Sequence, residues 1–597
     1  MFIVGENVLL AYDAYNGSKL WETSYGGQTR YQTRSVPGSL AADKDGAFLA
    51  TTNLCYRFHP ATGKVLNVFP IPEDIRKSSS TWSYLGIHDG IVVGSMSASL
   101  IPGSSRSRYS QALFAYEAES GKHLWTYEGG NISQMTIAVG DGRVFLVDGR
   151  MTTEQLEERL KLDRSKLAGL EGAEREEAEK RIKAADRKLA VALDLRTGDQ
   201  VWSKVLDFTD CTGLSKGHGE LMMMYYDGAL VFAGASGNGH YWQQFLAGEF
   251  KQRKLAVVEA ASGKELWHRE ANYRIRPLVM GETIVAEPWA FNLRTGQQKM
   301  RKHPTTGAES PWEFLRMGHH CGHVSATENL LFFRSGSTAY YDLERDAGVS
   351  HFSGMRTGCT INMIPANGLL HIPEASAGCQ CLFAIQSTVT LEPIAAEEDR
   401  AWGIFATPGP VLPVKHLHLN FGAPGDRRDD EGNLWLSYPR PRSDSRIAPL
   451  ELNLDLEIRG ITPRTYVRTA ETRRIEGTET PWVSSSGYEG ITGLGVAVLG
   501  RDDRAGEYTV RLHFAELEEG ESETRRFDIA VQGKVVENGF EIRKAAGGVR
   551  KAIVREFKAV EIFDWLEIGL IPQEGSARPP TLAGLEIVRT GDTGKPN

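Results

Sequence analysis

The stretch Ala11-Tyr-Asp-Ala-Tyr-Asn-Gly17-Ser-Lys-Leu-Trp21 recurs along the chain. Its clearest copies are Ala115-Tyr-Glu-Ala-Glu-Ser-Gly121-Lys-His-Leu-Trp125, Ala192-Leu-Asp-Leu-Arg-Thr-Gly198-Asp-Gln-Val-Trp202 and Val257-Val-Glu-Ala-Ala-Ser-Gly263-Lys-Glu-Leu-Trp267, and weaker copies end Gly63-Lys-Val-Leu66 and Gly296-Gln-Gln-Lys-Met300. Each copy combines an alternating apolar strand, a turn whose glycine needs a positive φ, and a second strand that ends in tryptophan. The repeat therefore predicts one β-hairpin built several times.

The spacing of the turn glycines predicts a β-propeller. Most intervals between them have the length of a four-stranded blade. Two less regular blades follow at 323–352 and 359–393, which brings the expected number to eight. Residues 1–21 supply only three strands of their blade, so we expect an inner strand to come from upstream or from elsewhere in the chain. The fold class predicted for residues 1–400 is all-β.

One interval is too long for a blade, and its extra residues have a different composition. Residues 152–188 are rich in Glu, Lys, Arg, Leu and Ala and contain no proline. This pattern predicts a helical hairpin at 151–188, broken near Gly169 to Gly172. Because the insert falls between the second and third strands of its blade, we expect it to project over the upper rim.

The repeated hairpin resembles the tryptophan-docking repeat of the pyrroloquinoline-quinone-like class, found in quinoprotein alcohol dehydrogenases and in outer-membrane assembly lipoproteins. The resemblance covers about residues 1–395 and implies a propeller, a fold that carries catalysts and scaffolds alike. The dehydrogenases hold their quinone under a Cys-Cys disulfide, and this sequence has no Cys-Cys dipeptide. Pyrroloquinoline quinone is therefore not the expected cofactor.

A second β pattern follows a proline-rich linker at 401–416 and predicts a sandwich at 417–590, with a tail at 591–597. Three segments, Tyr508 to Glu516, Arg526 to Lys534 and Leu582 to Val588, resemble the malectin family in order. The resemblance implies a carbohydrate-binding β-sandwich, with Trp435, Trp482 and Tyr488 as the expected sugar-binding side chains. The alternative is that these aromatics belong to the core.

Composition excludes some classes of function. A net charge of −8 lacks the basic excess that nucleic acid requires, so no nucleic-acid partner is expected. No apolar run is long enough for a transmembrane segment. Residues 1–10 do not show the basic region, apolar region and small-residue cleavage site of a signal peptide. The cysteines favour an extracytoplasmic location, periplasmic or secreted, whose leader is not visible in this numbering.

Histidines and cysteines are concentrated in loops expected on the upper rim. Gly318-His319-His320-Cys321-Gly322-His323 is followed by Cys359, Cys379 and Cys381. Imidazole and thiolate are ligands for zinc or copper, so Cys321, His323 and these three cysteines are candidate metal ligands. Disulfide bridges between the cysteines are favoured over a metal site, and they would leave His319 and His320 for catalysis. We expect at least three of the four sulfurs to form one cluster.

A second rim group combines imidazole, phenol, guanidinium and aromatic side chains. A base from His240 or Tyr273, with Arg276 to neutralise a carboxylate, is what β-elimination on a uronic-acid polymer requires. The expected substrate-binding residues are Tyr241, Trp242, Glu287, Trp289, Arg316 and Arg356. The alternative is that the arginines and Glu287 form structural pairs and the aromatics fill gaps between blades.

The sequence thus favours a secreted protein acting on an acidic or complex polysaccharide or oligosaccharide, with lyase chemistry preferred. One alternative is a quinoprotein-like or metal-dependent oxidoreductase. The other is a non-enzymatic scaffold or glycan-binding protein. A scaffold predicts no buried cluster of titratable groups at the rim.

Overall fold

The computed structural model describes most of the 597 residues. The described residues are 1–29, 38–98, 108–211, 221–234, 244–245, 247–316, 321–352, 354–355, 357, 363–373, 387–394, 401–440, 452, 454–518 and 525–593. They form two compact units. Unit 1 contains Met1–Gln297, His320–Glu328 and Arg356–Pro393, and unit 2 contains Gln298–His319, Asn329–Met355 and Ile394–Asn597. No helix among the described residues is long and apolar enough to cross a membrane.

Residues 1–297 fold into antiparallel sheets whose strands mostly follow one another in the chain. The first sheet has three strands and the second has four: β1 (Phe2–Gly5), β2 (Val8–Tyr12), β3 (Lys19–Ser24), β4 (Leu40–Asp43), β5 (Gly46–Ala50), β6 (Leu54–Phe58) and β7 (Val65–Pro70). The next eight strands form one sheet: β8 (Thr81–His88), β9 (Ile91–Ser97), β10 (Tyr109–Glu117), β11 (His123–Ser133), β12 (Ala138–Gly140), β13 (Arg143–Asp148), β14 (Arg187–Asp194) and β15 (Gln200–Asp207). Its two halves are joined by a single pairing between Ile132 and Asp148.

Two more sheets complete this stretch, and four further short strands of unit 1 lie later in the chain. The two sheets contain β16 (Met222–Tyr226), β17 (Ala229–Ala233), β18 (Lys254–Glu259) and β19 (Glu265–Glu270), then β20 (Leu278–Met280), β21 (Thr283–Ala286) and β22 (Trp289–Asn292). Unit 2 contributes the pair β23 (Met300–Lys302) and β24 (Glu309–Pro311), and unit 1 resumes with β25 (Ser325–Ala326). Strands β26 (Leu330–Ser335), β27 (Ser337–Asp342) and β28 (Val349–His351) belong to unit 2, and β29 (Ile364–Ala366), β30 (Leu369–Ile372) and β31 (Val389–Leu391) to unit 1.

The repeated tryptophans join neighbouring repeats of unit 1. Each indole donates a 2.9 Å hydrogen bond to a carbonyl oxygen just before the turn glycine of the next repeat: Trp21 to Pro60, Trp125 to Leu195, Trp202 to Ala260 and Trp267 to Leu293. The turn glycine then lies against the ring. A Cβ at Gly198 would come within 2.5 Å of the Trp125 ring, and the backbone there has φ +75°. Glycine is thus required both by the turn and by the docked indole.

One of the two repeats that lack tryptophan keeps the same connection. Asn67 occupies the position equivalent to the tryptophans, four residues after its turn glycine. Its side-chain amide donates to the carbonyl oxygens of Ala118 (3.0 Å) and Glu119 (2.8 Å), just before Gly121. This weaker copy therefore preserves the hydrogen bond without the aromatic ring.

Two helices, α1 (Thr153–Ser165) and α2 (Gly172–Ala184), lie between β13 and β14. Helix α1 begins at a capping box in which Thr152 accepts from the Gln155 amide. Helix α1 contacts the strands that follow the insert. Arg159 donates to the Val205 carbonyl of outer strand β15, and buried Asp163 pairs with Arg159 (3.0 Å) and Arg187 (2.8 Å). These contacts hold α1 against the outer strand.

The C-terminal part of unit 2 is a β-sandwich. One sheet has the order β33-β34-β32-β43-β37-β40 and the other β35-β36-β41-β38-β39, with β42 beside β36. The strands are β32 (His416–Phe421), β33 (Arg427–Arg428), β34 (Leu434–Tyr438), β35 (Leu456–Val467), β36 (Ser486–Ala497), β37 (Gly506–Ala515), β38 (Arg526–Val531), β39 (Lys534–Glu541), β40 (Ala552–Ile562), β41 (Trp565–Pro572), β42 (Thr581–Leu582) and β43 (Gly584–Asp592). Short helices α3 (Pro481–Ser484) and α4 (Ile542–Ala546) and two 3-10 turns, Gln134–Thr136 and Thr469–Arg474, complete the described elements. The core between the sheets is aliphatic and aromatic, from Leu417 to Ile587.

The segment expected to be a linker is bonded on both sides within unit 2. Ile404 exchanges two backbone hydrogen bonds with Val349 of β28, at 2.9 and 3.0 Å. Gly403 exchanges two with Asp426 of the sandwich, at 2.8 and 2.6 Å. A Cβ at Gly348 would lie 2.3 Å from the Ile404 carbonyl group, so this approach requires glycine. Residues 402–405 are therefore an extended segment with backbone hydrogen bonds on both sides, which we call the shared strand.

Candidate functional site

A cleft of about 390 Å³ opens at one end of the sandwich. Charged side chains and one aromatic ring dominate its wall, and we call it the arginine cleft. Its lining residues are Arg464, Thr465, Tyr466, Val467, Arg468, Glu489, Ala515, Glu516, Leu517, Glu518, Arg525, Arg578 and Thr581. Four guanidinium groups meet three carboxylates in this small volume.

Cross-strand pairing of β35 with β36 builds the first wall. Arg464 lies directly opposite Glu489, and Tyr466 lies opposite Gly487. The Arg464 guanidinium reaches the Glu489 carboxylate at 2.7 Å. A Cβ at Gly487 would come within 2.7 Å of the Tyr466 hydroxyl, so glycine makes room for the phenol ring. Its hydroxyl accepts a 3.4 Å hydrogen bond from Thr581.

The second wall comes from residues at strand ends. Glu516 follows β37, and Arg525 precedes β38. Arg525 bonds to Glu489 and Glu516, each at 3.0 Å, and Arg578 bonds to the same two carboxylates at the same distance. A buried and a half-buried carboxylate are thereby held by arginines that come from distant parts of the chain. The network is rigid because each guanidinium bridges two acceptors.

The electrostatics of the cleft follow from this network. Burial of Glu489 opposes its ionisation, but the guanidiniums of Arg464, Arg525 and Arg578 lower its pKa to about 2. The negative charges of Glu489 and Glu516 are therefore balanced by arginines of the protein itself. Arg464 is 78% exposed at the cleft edge, so positive charge faces an incoming ligand. The arrangement suits a polyhydroxyl ligand that carries negative charge, with Tyr466 as its apolar contact.

A second cleft of about 650 Å³ lies on the outer side of the other sheet and is acidic. Its wall contains Asp430, Glu431 and Glu479 with few cations. Glu586 is committed to partners, because His513 approaches it at 2.6 Å and Arg511 at 2.9 Å. An anionic ligand is disfavoured there by like charge.

The aromatic residues expected to bind sugar are buried or half-buried. Trp435 is 2% exposed and Trp482 is 7% exposed, and their rings pack edge to face at 5.9 Å. The Trp435 indole donates to Asp429 at 3.0 Å. Tyr488 is half-buried against Phe421. Both tryptophans are largely buried, and Trp435 also lines the acidic cleft; sugar binding by these side chains stays a prediction.

In unit 1 the second rim group is partly described. Tyr273 is fully buried, and its hydroxyl accepts from the Gly234 amide (2.8 Å) and donates to the Lys254 carbonyl (3.1 Å). Both hydrogen bonds hold backbone, so the phenol is placed as a structural group. Glu287 is also buried and pairs with Arg274, while Trp289 packs on the neighbouring core. Arg276 is half-buried.

The other predicted site residues divide into buried and undescribed ones. Cys321 and His323 are buried in unit 1, and Arg316 is buried in unit 2. Outside the described residues lie His240, Tyr241, Trp242, His319, His320, Arg356, Cys359, Cys379 and Cys381. Among the residues with described positions, no three His, Cys, Asp or Glu side chains group as metal ligands. The cysteine cluster stays a prediction.

Two family models match the chain. Residues 82–302 match the family described as outer membrane protein assembly factor BamB, and residues 501–570 match the Malectin domain. Both resemblances expected from the sequence are confirmed by these matches. A probable LRR receptor-like serine/threonine-protein kinase of Arabidopsis thaliana is 34% identical over 111 residues, which cover 16% of this chain and 11% of that protein.

Solved structures give weaker similarities. BamB from Moraxella catarrhalis is 12% identical with a TM-score of 0.29, over 55% of this chain and 76% of that one. A beta-glucuronidase of Bacteroides uniformis is 12% identical with a TM-score of 0.24, over 64% and 29%. The plant receptor-like kinase ANX2 is 18% identical with a TM-score of 0.23, over 30% and 51%. These TM-scores are too low to support a comparison of sites.

Proposed function

We propose that this chain, a propeller-type repeat protein with a C-terminal malectin domain, binds an acidic polysaccharide or oligosaccharide through the arginine cleft. The observation that carries the proposal is the pairing of Glu489 and Glu516 with bridging arginines beside a half-buried tyrosine. Carboxylates and guanidiniums with fixed geometry are hydrogen-bonding partners for sugar hydroxyls, and exposed Arg464 provides charge for a uronate.

Replacing Arg464 by alanine is expected to weaken binding of a uronic-acid oligosaccharide by about tenfold, which corresponds to about 1.4 kcal/mol. The side chain is exposed and its ion pair contributes little to stability, so the melting temperature should stay within a few degrees of wild type. Isothermal titration with a uronic-acid trisaccharide and its methyl ester measures the effect. The neutral ester should bind both proteins with similar affinity.

Arg459 provides the matched control. It lies on the same strand β35, is 51% exposed and pairs with Glu567, away from the cleft. Arg459→Ala should bind the trisaccharide like wild type. Equal loss in the two variants would mean that general charge attracts the ligand. No binding of any acidic or neutral glycan by wild type would refute the proposal.

We further propose that unit 1 cleaves the same polysaccharide by β-elimination. A base removes the proton next to the uronate carboxylate, a double bond forms, and the glycosidic oxygen leaves with a proton. The base is assigned to His240, His319 or His320, and Arg276 supplies a guanidinium for the carboxylate. A panel of polyuronates should then give a rise in absorbance from unsaturated products, measured with and without chelator.

The outcome separates the candidate functions. Loss of turnover in His240→Ala, or in both His319→Ala and His320→Ala, with an unchanged melting temperature would support the lyase. Turnover that disappears with chelator would support the metal-dependent alternative with zinc or copper. No product from any glycan would leave a glycan-binding scaffold. We also propose that the propeller has eight blades with a helical insert. We propose in addition that the protein is extracytoplasmic, which a mass-spectrometric search for a processed leader would test.

A further inference from the structure

A cleft of about 780 Å³ lies in unit 1 between helix α1, outer strand β15 and the turn that follows β18. Side chains of α1 from Gln155 to Ser165 line one side, and Gly263 to Glu265 line the other. Strand β15 is the last strand of its sheet. Val205 and Leu206 point to opposite faces of this strand, and both line the cleft. The cleft therefore runs along the free edge of the sheet.

Exposed lysines give this cleft a positive charge, and we call it the lysine groove. Its lysines are Lys161, Lys166, Lys204 and Lys264. None of the four forms an ion pair with a carboxylate in the described part of the chain. Two carboxylates, Glu158 and Glu265, share the wall, and Glu265 already has His268 at 2.6 Å. The groove therefore has cations available for an acidic ligand.

The floor of the lysine groove is apolar. Leu189, Val205 and Leu206 line it and are 6%, 8% and 9% exposed, so the core of the blade reaches the surface here. Leu162 of α1 lines the same groove and is 55% exposed although it is apolar. No aromatic ring belongs to the described wall, so a sugar ring has no surface there on which to stack. The floor favours a ligand with aliphatic side chains over a saccharide.

The edge of β15 also offers backbone hydrogen-bonding groups to the groove. The Val205 carbonyl faces outward, because it accepts from Arg159 at 3.1 Å. Backbone groups of an antiparallel strand alternate in direction, so the amide and carbonyl of Ser203 face the same edge. Ser203 lines the groove as well. An extended peptide can bond to these groups as an added strand does.

We propose that the lysine groove binds an extended segment of a partner protein that is rich in carboxylates and aliphatic side chains. The carboxylates pair with the lysines, the aliphatic side chains cover Leu162 and the apolar floor, and the peptide backbone bonds to Ser203. No residue of the arginine cleft or of the proposed lyase reaction takes part. The groove is therefore tested independently of the proposed function.

The test follows the fluorescence anisotropy of a labelled short peptide of alternating glutamate and leucine, titrated with the full chain. Lys161→Glu combined with Lys264→Glu should weaken binding by about tenfold or more. A peptide with glutamine in place of glutamate should bind wild type more weakly by a similar factor. Added salt should weaken binding of the glutamate peptide, because the pairing lysines are exposed. No binding of the glutamate peptide by wild type would refute the proposal.

The matched control reverses two exposed lysines outside the groove. Lys122 follows its turn glycine as Lys264 does, and Lys180 lies on α2, the partner helix of α1. Lys122→Glu combined with Lys180→Glu should bind the peptide like wild type. Both double variants should keep the melting temperature of wild type, since these side chains are on the surface. Equal losses in the two double variants would reduce the binding to general charge and overturn the proposal.

A variant of Leu162 separates a peptide site from a polysaccharide site. Leu162→Gln keeps the helix propensity of α1 and removes the exposed aliphatic contact, so it should weaken peptide binding by about fivefold. Arg464→Ala in the arginine cleft should leave peptide binding unchanged. Loss of peptide binding in Arg464→Ala, or a polyuronate that displaces the peptide and binds Leu162→Gln like wild type, would overturn the proposal.

Discussion

Replacing Asp426 by alanine is expected to lower the free energy of unfolding by about 3–5 kcal/mol. The carboxylate is fully buried. It accepts hydrogen bonds from the Phe405 amide (2.7 Å) and the Ser437 amide (2.8 Å), and it pairs with Arg440. Alanine would leave buried backbone donors and a guanidinium without their acceptor. Denaturant unfolding followed by tryptophan fluorescence measures the change.

Asp592→Ala is the control for this prediction. That carboxylate pairs with Arg589 at 2.8 Å but is 64% exposed, so its loss should change stability by less than about 1 kcal/mol. Asp426→Asn keeps one oxygen and should fall between wild type and alanine. A loss in Asp426→Ala no larger than in the control would show that the shared strand 402–405 is held by its backbone bonds alone.

Replacing Trp125 by alanine is expected to cost about 3–5 kcal/mol in the transition that includes its repeat. The ring is 7% exposed and packs under the turn at Gly198, and the indole donates to the Leu195 carbonyl. Alanine removes the ring volume and the hydrogen bond together. Trp125→Phe keeps most of the ring, so it should cost about 1–3 kcal/mol, the penalty for an unpaired buried carbonyl.

Val201 gives a control on the neighbouring repeat. Val201 directly precedes the docking residue Trp202, just as Leu124 precedes Trp125. Because Val201 is 46% exposed, Val201→Ala should change stability by no more than about 0.5 kcal/mol. Thermal unfolding of the three variants in parallel would make the comparison. Equal effects of Val201→Ala and Trp125→Ala would mean that the repeats are not joined by indole docking.

The hairpins of the repeat were predictable because their determinants are local. A glycine with positive φ and a strand with alternating burial are properties of adjacent residues. The contact between Trp125 and the turn at Gly198 is not local, yet it could be inferred from the recurrence of the pattern. Asn67 was missed because it preserves the hydrogen bond while changing the residue type.

The arginine cleft was not predicted, for the opposite reason. Its side chains come from β35, β36, the ends of β37 and β38, and the segment before β42, so no short motif contains them. The only local signal is the cross-strand pair of Arg464 and Glu489, which requires knowledge of the register. The sequence pointed instead to aromatic residues as sugar contacts, and two of these, Trp435 and Trp482, are largely buried. A residue type alone does not distinguish a ligand contact from a core contact.

The shared strand at residues 402–405 bears on how such a protein can be assembled from exchangeable gene segments. The strand is bonded to Val349 on one side and to Asp426 on the other. A gene fusion that joined a foreign sandwich at residue 417 would keep the strand but lose its Asp426 partner. A junction placed before residue 402 would transfer the shared strand together with the sandwich. The new partner protein would then have to supply a strand that pairs with Ile404 in place of Val349. Recombination between these parts is therefore constrained by a pairing on each side of the boundary.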